Sequence, residues 1–327
     1  MAITTKDIAE KCKVSRTTVH RAFNNTGRIS EETREFILKT AEEMGYKPDL
    51  LATSLKKGKT GNLGVVVFDV KNQYFAEMLN ALELEAQKNG YFINISLHQK
   101  QQLQEREMLE RLAGYRVEGI VLSPVSRGKE FEDFLLQLNT PIVIIGNKFG
   151  TKIPCVGIDE KKAAKEAVEM IAAKGYKKIY FVCPPLADMD KENVYSHVQR
   201  RDGFLETCQS MNISGMVIDK WDYLPEVEAA MSKEKEKIAF FCSGDVYALE
   251  IMKDLRRKKL TAGKDYGIMG FDNIDMLDYV TPRLTTIDNS INSVSSKAME
   301  VLLAKINDEP VKAVNLIPHK IIEGETL

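Results

Sequence analysis

The chain has 327 residues, enough at about 150 residues per domain for two or three domains with sizeable cores. Lys and Arg number 46 against 47 Asp and Glu, and that balance excludes a wholly basic nucleic-acid coat and a wholly acidic tail. With 44% hydrophobic and 28% charged residues, this is an ordinary globular composition and not a disordered one.

The charge is segregated along the chain. Residues 1–60 hold 12 Lys and Arg against 8 Asp and Glu, and the rest of the chain is net acidic. In this basic head, Thr4 reads as a helix N-cap with Asp7 in the first turn. Ile8, Ala9 and Cys12 follow at helical spacing. After a short break at Lys13-Val14, Ser15 caps a second helix running from Arg16 to Phe23. Val14, Val19 and Phe23 can turn inward, which leaves Arg16, Thr17, His20 and Arg21 on the outer face. Asn24 to Gly27 reads as a turn. Ser30-Glu31-Glu32 starts a third helix whose apolar stripe is Ile37, Ala41 and Met44, and Gly45 ends it. Two short helices joined this tightly have the proportions of a helix-turn-helix, with the start of the second helix offered to base edges. Periodicity alone also allows a three-helix cap with a solvated basic face.

The residue string is more specific than the periodicity. Thr4-x-x-Asp7-Ile8-Ala9, Val14-Ser15-x-x-Thr18-Val19-x-Arg21, Asn24, Ser30-x-x-Thr33-Arg34 and Gly45-Tyr46-x-Pro48 resemble the DNA-binding head of the lactose-repressor (LacI/GalR) family of bacterial transcription regulators. The resemblance implies a DNA-contacting set of Thr4, Thr5, Lys6, Ser15, Arg16, Thr17, Thr18, His20, Arg21, Asn24, Arg28, Ser30, Thr33 and Tyr46. Two positions depart from the pattern. Cys12-Lys13 stands where the family has Ala-Gly, so Lys13 carries a modest strain if its backbone is left-handed. His20 stands where a small Ser is common and alters the surface offered to the bases.

Residues 48–60 then read as a linker. Ala52 to Leu55 resembles the family's hinge helix. A helix this short is unstable alone and folds when paired in a dimer and held in a minor groove. Leu55 would be the apolar wedge, with Lys56 and Lys57 on phosphates. A flexible basic tether is the plainer alternative. Gly58-Lys59-Thr60 is not a P-loop, since the upstream glycine and the preceding strand are missing.

From Asn62 the pattern changes to short apolar runs: 63–68, 92–97, 117–122, 142–145, 179–183, 216–218, 238–242 and 266–269. Helical stretches separate most of them: 75–88, 101–113, 129–139, 160–174, 199–211, 226–233 and 245–259. Strands alternating with helices mean parallel sheets, and so many strands imply two doubly wound subdomains facing across a ligand cleft. No GxGxxG or GxSxG follows a strand, and no nucleophile–base or metal grouping is evident, so no enzyme and no cofactor are expected. The five cysteines (Cys12, Cys155, Cys183, Cys208, Cys242) are scattered without a CxxC. They read as buried free thiols in a reducing cytoplasm. The four histidines have no metal-ligand spacing. The N-terminal residues lack the apolar stretch of a signal peptide, and no run approaches the ~18 apolar residues of a membrane span.

The body's strings, among them Arg200-x-x-Gly203-Phe204, Gly270-Phe271-Asp272-Asn273 and Pro282-x-Leu284-Thr285-Thr286-Ile287, resemble the periplasmic-binding-protein-like effector domains of the same family. The resemblance implies an all-α helix-turn-helix head over 1–47, a hinge over 48–60, and an α/β effector-binding and dimerisation body over 61–327. Its first subdomain would span about 61–158 and 291–317, and its second about 159–287 and 318–327. The implied effector set is Asp69, Phe75, Asn147, Lys148, Ser196, Arg200, Trp221, Asp245 and Asp272. Arg200 would clamp hydroxyls or a carboxylate, and Trp221 would stack on the ligand ring. Simpler roles are an inter-subdomain ion pair for Arg200, a surface anchor for Trp221 and a helix cap for Asp245. Gly146 and Gly244 stand where sugar-responsive members often have Asp and Asn. With Lys148 nearby, that loss of acceptors suits a sugar acid or sugar phosphate beside the neutral sugars. The implied function is a sequence-specific transcription regulator, a repressor, binding near-palindromic double-stranded DNA as a homodimer under control of a sugar-like effector. A solute-binding transport protein and a small-molecule enzyme on the same body are the competing classes.

Overall fold

The computed structural model describes residues 3–47, 59–186, 192–234 and 236–327. The chain divides into two units, residues 1–60 and residues 61–327. The hinge residues Ala52, Leu55, Lys56 and Lys57 lie outside the described residues.

The head consists of three helices, α1 (Thr5–Cys12), α2 (Arg16–Asn24) and α3 (Glu31–Glu43). Each starts where a side-chain oxygen satisfies an orphan backbone N–H. At α1 the Asp7 carboxylate accepts the Thr4 N–H at 2.7 Å, while the Asp7 N–H reaches back to the Thr4 hydroxyl. The Thr4 N–H, and after it the Thr4 hydroxyl donating to the same carboxylate at 2.8 Å, hold the Asp7 carboxyl below its usual range. Ser15 and Ser30 accept from the N–H groups of Thr18 and Thr33, at 3.1 and 3.2 Å. Lys13 ends α1 in the left-handed conformation (φ +55°), as its place in the Gly-type turn requires. The second helix continues one residue further than its pattern indicates. Asn24 stays helical because its amide donates to the His20 carbonyl, and Asn25 takes the left-handed cap instead. Ile8, Ala9, Cys12, Val19, Ala22, Ile37 and Ala41 form the buried core, and Phe23 meets Tyr46 beside it with tilted rings, centroids 5.2 Å apart.

The body carries two six-stranded sheets of the same winding. In chain order its elements begin β1 (Asn62–Val67), α4 (Gln73–Lys88), β2 (Phe92–Leu97), α5 (Gln102–Gly114), β3 (Gly119–Leu122), α6 (Lys129–Gln137), β4 (Ile142–Ile145) and β5 (Cys155–Gly157). Then come α7 (Glu160–Ala173), β6 (Lys178–Cys183), α8 (Tyr195–Ser210), β7 (Ser214–Asp219), α9 (Leu224–Lys233), β8 (Ala239–Cys242), α10 (Asp245–Arg257) and β9 (Gly267–Asp272). A 3-10 turn (Asp275–Tyr279), β10 (Thr285–Asp288), α11 (Ile291–Ile306), β11 (Val314–Leu316) and β12 (Lys320–Ile322) complete the chain. Strand order is β11-β5-β4-β3-β1-β2 in the first sheet and β12-β10-β9-β8-β6-β7 in the second. All pairs are parallel except β10 with β12. Central strands such as β3, β4 and β8 are buried throughout, as continuous apolar runs in a doubly covered parallel sheet must be.

The apolar runs named from the sequence coincide with eight of these strands. β5, β11 and β12 are only three residues long, and β10 (Thr285–Asp288) holds one apolar residue among its four, so none reads as an apolar run. The chain passes between the sheets after β5, after β10 and after β11. At those crossings the Ser290 hydroxyl donates to the Pro318 carbonyl at 2.9 Å, and His319 lies 2.8 Å from the Glu166 carboxylate. Helices α7 and α8 pack closely through Gly203. A β-carbon there would lie 2.4 Å from the Lys161 carbonyl oxygen, so only glycine fits.

Candidate ligand cavity and nucleic-acid interface

In both sheets the loops leaving the carboxyl ends of the strands converge on one cavity of about 380 Å³. This is the position that a doubly wound sheet offers to ligands, where neighbouring connections leave in opposite directions. The first lobe contributes Phe68, Asp69, Lys71, Asn72, Tyr74 and Phe75 after β1, Lys100 after β2, Ser123 after β3, and Gly146 and Asn147 after β4. The second contributes Glu160, Ser196, His197, Arg200, Ser243, Gly244, Tyr247 and Asp272.

Arg200 is buried at the centre of the second wall. Its Nε–H donates to Glu160 at 2.7 Å and Nη1 donates to the Ser243 carbonyl at 2.6 Å. The guanidinium carbon lies 3.4 Å from the Phe271 ring centroid, a cation–π seat. Arg200 is thus an ion-paired group of the cavity wall. Asp272 ends β9 in the left-handed region (φ +116°), a strain kept only where the surroundings impose it. Asn289 donates to its Oδ1 at 3.1 Å. Burial, reinforced by the nearby Asp245 and Glu160 carboxylates, pushes Asp272 well above the usual carboxylate range against the pull of Arg200.

Three members of the implied effector set are not in the lining. Asp245 is fully buried behind the wall. Its two oxygens accept the Thr286 hydroxyl at 2.6 Å and the Ile274 N–H at 3.0 Å, so it anchors the segment that carries Asp272. Burial pushes it up to about 7 despite those bonds. Lys148 is outside the lining while its neighbour Asn147 is part of it: the Asn147 side chain accepts the Ser196 N–H at 3.1 Å, and its carbonyl accepts the Asn193 amide at 2.8 Å. Those bonds tie the two lobes together. Trp221 is 62% exposed outside the cavity. The Lys100 ammonium of the opposite lobe sits 4.7 Å from its ring centroid. Asp69, Phe75, Asn147, Ser196, Arg200 and Asp272 do meet in the lining.

Several cavity residues carried no legible sequence signal as such. Phe68 and Tyr74 flank the expected Phe75 in one aromatic wall, each ring centroid 5.1 Å from that of Phe75. His98 buttresses it edge-on at 4.8 Å and accepts the Lys100 N–H at 3.2 Å. His197 lies three residues before Arg200 on the same helix face, and burial, aided by Arg200 and Lys100, keeps its imidazole neutral down to about 3. Helical spacing from Arg200 and the strand-end rule applied to β8 would have found His197 and Ser243. Because Trp221 is the only tryptophan, its emission reports on the cross-lobe contact. Lys100→Met should change the intensity and wavelength of that emission in the full chain. An identical spectrum would show that the ammonium does not sit on the ring.

On the head, Arg16, Thr17, His20 and Arg21 are exposed along one face of α2. Thr4, Lys6, Ser15, Arg28 and Ser30 are exposed as well, while Thr5 is half-buried. The hydroxyls of Thr18 and Thr33 are half-buried and engaged with Ser15 and Ser30. Asn24 is half-buried, bonded to His20, and Tyr46 packs on the core. Among the described residues no three His, Cys, Asp or Glu gather in a way that could hold a metal ion, and no helix is long and apolar enough to cross a membrane.

Residues 4–49 match the family model of bacterial regulatory proteins, lacI family, and residues 168–327 match that of a periplasmic binding protein-like domain. Catabolite control protein A of Priestia megaterium is 28% identical over 98% of each chain. The HTH-type transcriptional repressor CytR of Escherichia coli (strain K12) is 29% identical over 99% of this chain and 96% of its own. The fold matches the crystal structure of the lac repressor dimer bound to operator and the anti-inducer ONPF, with a TM-score of 0.86 at 20% identity, covering 100% of this chain and 99% of the other. It also matches a complex of the transcriptional regulator CelR with cellobiose, with a TM-score of 0.70 at 19% identity over 99% of each chain.

Proposed function

We propose, because the chain belongs to the lacI family of bacterial regulatory proteins, that this DNA-binding transcription regulator is a repressor controlled by a sugar or sugar derivative in the inter-lobe cavity. The observation that carries the DNA half is the α2 face, where a basic and hydroxyl-bearing surface (Arg16, Thr17, His20, Arg21) is held outward by a helix whose opposite side is buried at Val19 and Ala22. That is the geometry of a recognition helix in a major groove. The cavity supports the effector half: two lobes close on one space, and the solved relative CelR holds cellobiose.

A homodimer on a near-palindromic operator is the matching assembly. The body leaves Phe92 and Ile95 on the unpaired edge strand β2, Leu103 on α5 and Tyr279 in the 3-10 turn exposed to solvent. A second copy would cover such side chains. An effector that prefers one lobe arrangement would shift operator affinity by its difference in affinity for the two states.

The test is a gel shift on the DNA upstream of the protein's own gene, with and without candidate sugars, together with the stoichiometry of the retarded species. No retardation at low salt, or one protein chain per retarded operator, would overturn this reading. Within it, Arg16→Ala should weaken binding to the preferred site about tenfold to a hundredfold while leaving non-specific binding nearly unchanged, since a base-edge contact carries about 1–3 kcal/mol of discrimination. Binding selection from randomised DNA checks this. Equal losses on every sequence would make Arg16 a phosphate contact.

A further inference from the structure

His197 and Ser243 have no role in the function implied by the family pattern, yet they are the cavity's open positions. His197 sits in the first turn of α8, and Ser243 follows β8. Both line the cavity, and both His197 Nδ1 and Ser243 Oγ are buried with no hydrogen-bond partner in the protein. Buried polar atoms are almost always paired, so two orphans on residues that line one cavity call for a partner from outside the chain.

Their neighbours are already committed. Arg200 spends Nε and Nη1 on Glu160 and the Ser243 carbonyl, and Asp272 Oδ1 accepts from Asn289. Gly244 keeps the adjoining space clear. A β-carbon there would lie 3.3 Å from the Tyr247 ring and 3.6 Å from Asp272 Oδ2, so the room a larger side chain would fill is left to a ligand.

We propose that His197 and Ser243 are specificity-determining ligand contacts, which together select an uncharged group able both to donate and to accept hydrogen bonds. A neutral imidazole and a hydroxyl each do either, whereas neither neutralises a carboxylate or phosphate. On the same wall the Arg200 charge is already offset by Glu160 at 2.7 Å, and the Lys100 ammonium of the opposite lobe lies against the Trp221 ring. The sugar-acid alternative leaned on Arg200 together with Lys148; Arg200 is paired with Glu160, and Lys148 lies outside the lining. This inference rests on the cavity being the effector site.

The experiment is a calorimetric and thermal-shift comparison on the full chain, using D-ribose, D-xylulose and cellobiose against ribose 5-phosphate and gluconate. At least one neutral probe should bind, and the anions should bind at least tenfold more weakly or not at all. His197→Leu and Ser243→Ala should each weaken that neutral probe tenfold or more. Their ligand-free melting temperatures should not fall, because each variant removes an orphan polar atom and breaks no bond. An anion binding more tightly than every neutral probe, unchanged affinity in both variants, or a lowered ligand-free melting temperature in both would overturn the inference and leave the cavity reading standing. Binding of no probe of either class would overturn the cavity reading and this inference with it.

Discussion

Arg200→Met should destabilise the protein by about 3–5 kcal/mol, because it strands the Glu160 carboxylate in the interior. Both side chains of the pair are only 8% exposed, so neither is screened by solvent in the way a surface pair is. The substitution also removes the donor to the Ser243 carbonyl and the cation from the face of Phe271. The signature that separates this from ordinary cavity damage is recovery in a double variant. Arg200→Met with Glu160→Leu removes both charges and should regain most of the loss, since a buried pair replaced by apolar groups of similar volume is often close to neutral. Thermal melts of the single and double variants check it. A double variant as unstable as the single one would show that Glu160 is not the group left in distress. The ligand response should stay lost in both, because the wall facing the cavity no longer has its form.

Gly203→Ala should cost about 1–3 kcal/mol or more through overpacking. The added methyl would fall 2.4 Å from the Lys161 carbonyl oxygen and 3.1 Å from its carbon. Backbone cannot rotate away as a side chain can, so α7 and α8 must part and the cavity groups on α8, His197 and Arg200, move with them. The expected result is a lower melting temperature together with weaker ligand binding. Gly114→Ala is the matched control. Gly114 closes α5, and nothing lies within 4 Å of its missing β-carbon. That substitution should be neutral or stabilise by about 0.5–1 kcal/mol through helix propensity. Equal effects at the two glycines would refute the steric account.

The head was readable almost to the residue because its determinants are local. Thr4 with Asp7, Ser15 and Ser30 each mark a helix start within four residues of the N–H they satisfy. The core positions recur at helical spacing. Lys13 needed more than spacing: its left-handed backbone follows from the turn pattern into which it is substituted. The long strands were equally legible as apolar runs. The short ones were not, since β11 and β12 exist only because the chain returns to sheets built far away in sequence.

The cavity divides in the same way. Arg200 and Asp272 were legible because each stands in a distinctive string. Trp221 was legible as a residue type but not as a neighbour. Its ring meets Lys100, 121 positions earlier, and that pairing depends on how two separately built lobes face each other. Asp245 shows the opposite error: a carboxylate beside a pocket motif is drawn behind the wall by Thr286 and the Ile274 N–H.

By itself, then, the sequence determined the three capped helices, the outward face of α2, the alternation of strands and helices, and the doubly wound body, because capping and apolar periodicity act over a few residues. Tertiary structure decided which polar groups of the cavity are spent on the protein and which are left for a ligand. Arg200 is paired, His197 and Ser243 are not, and that distinction is set by contacts between segments 40 or more residues apart.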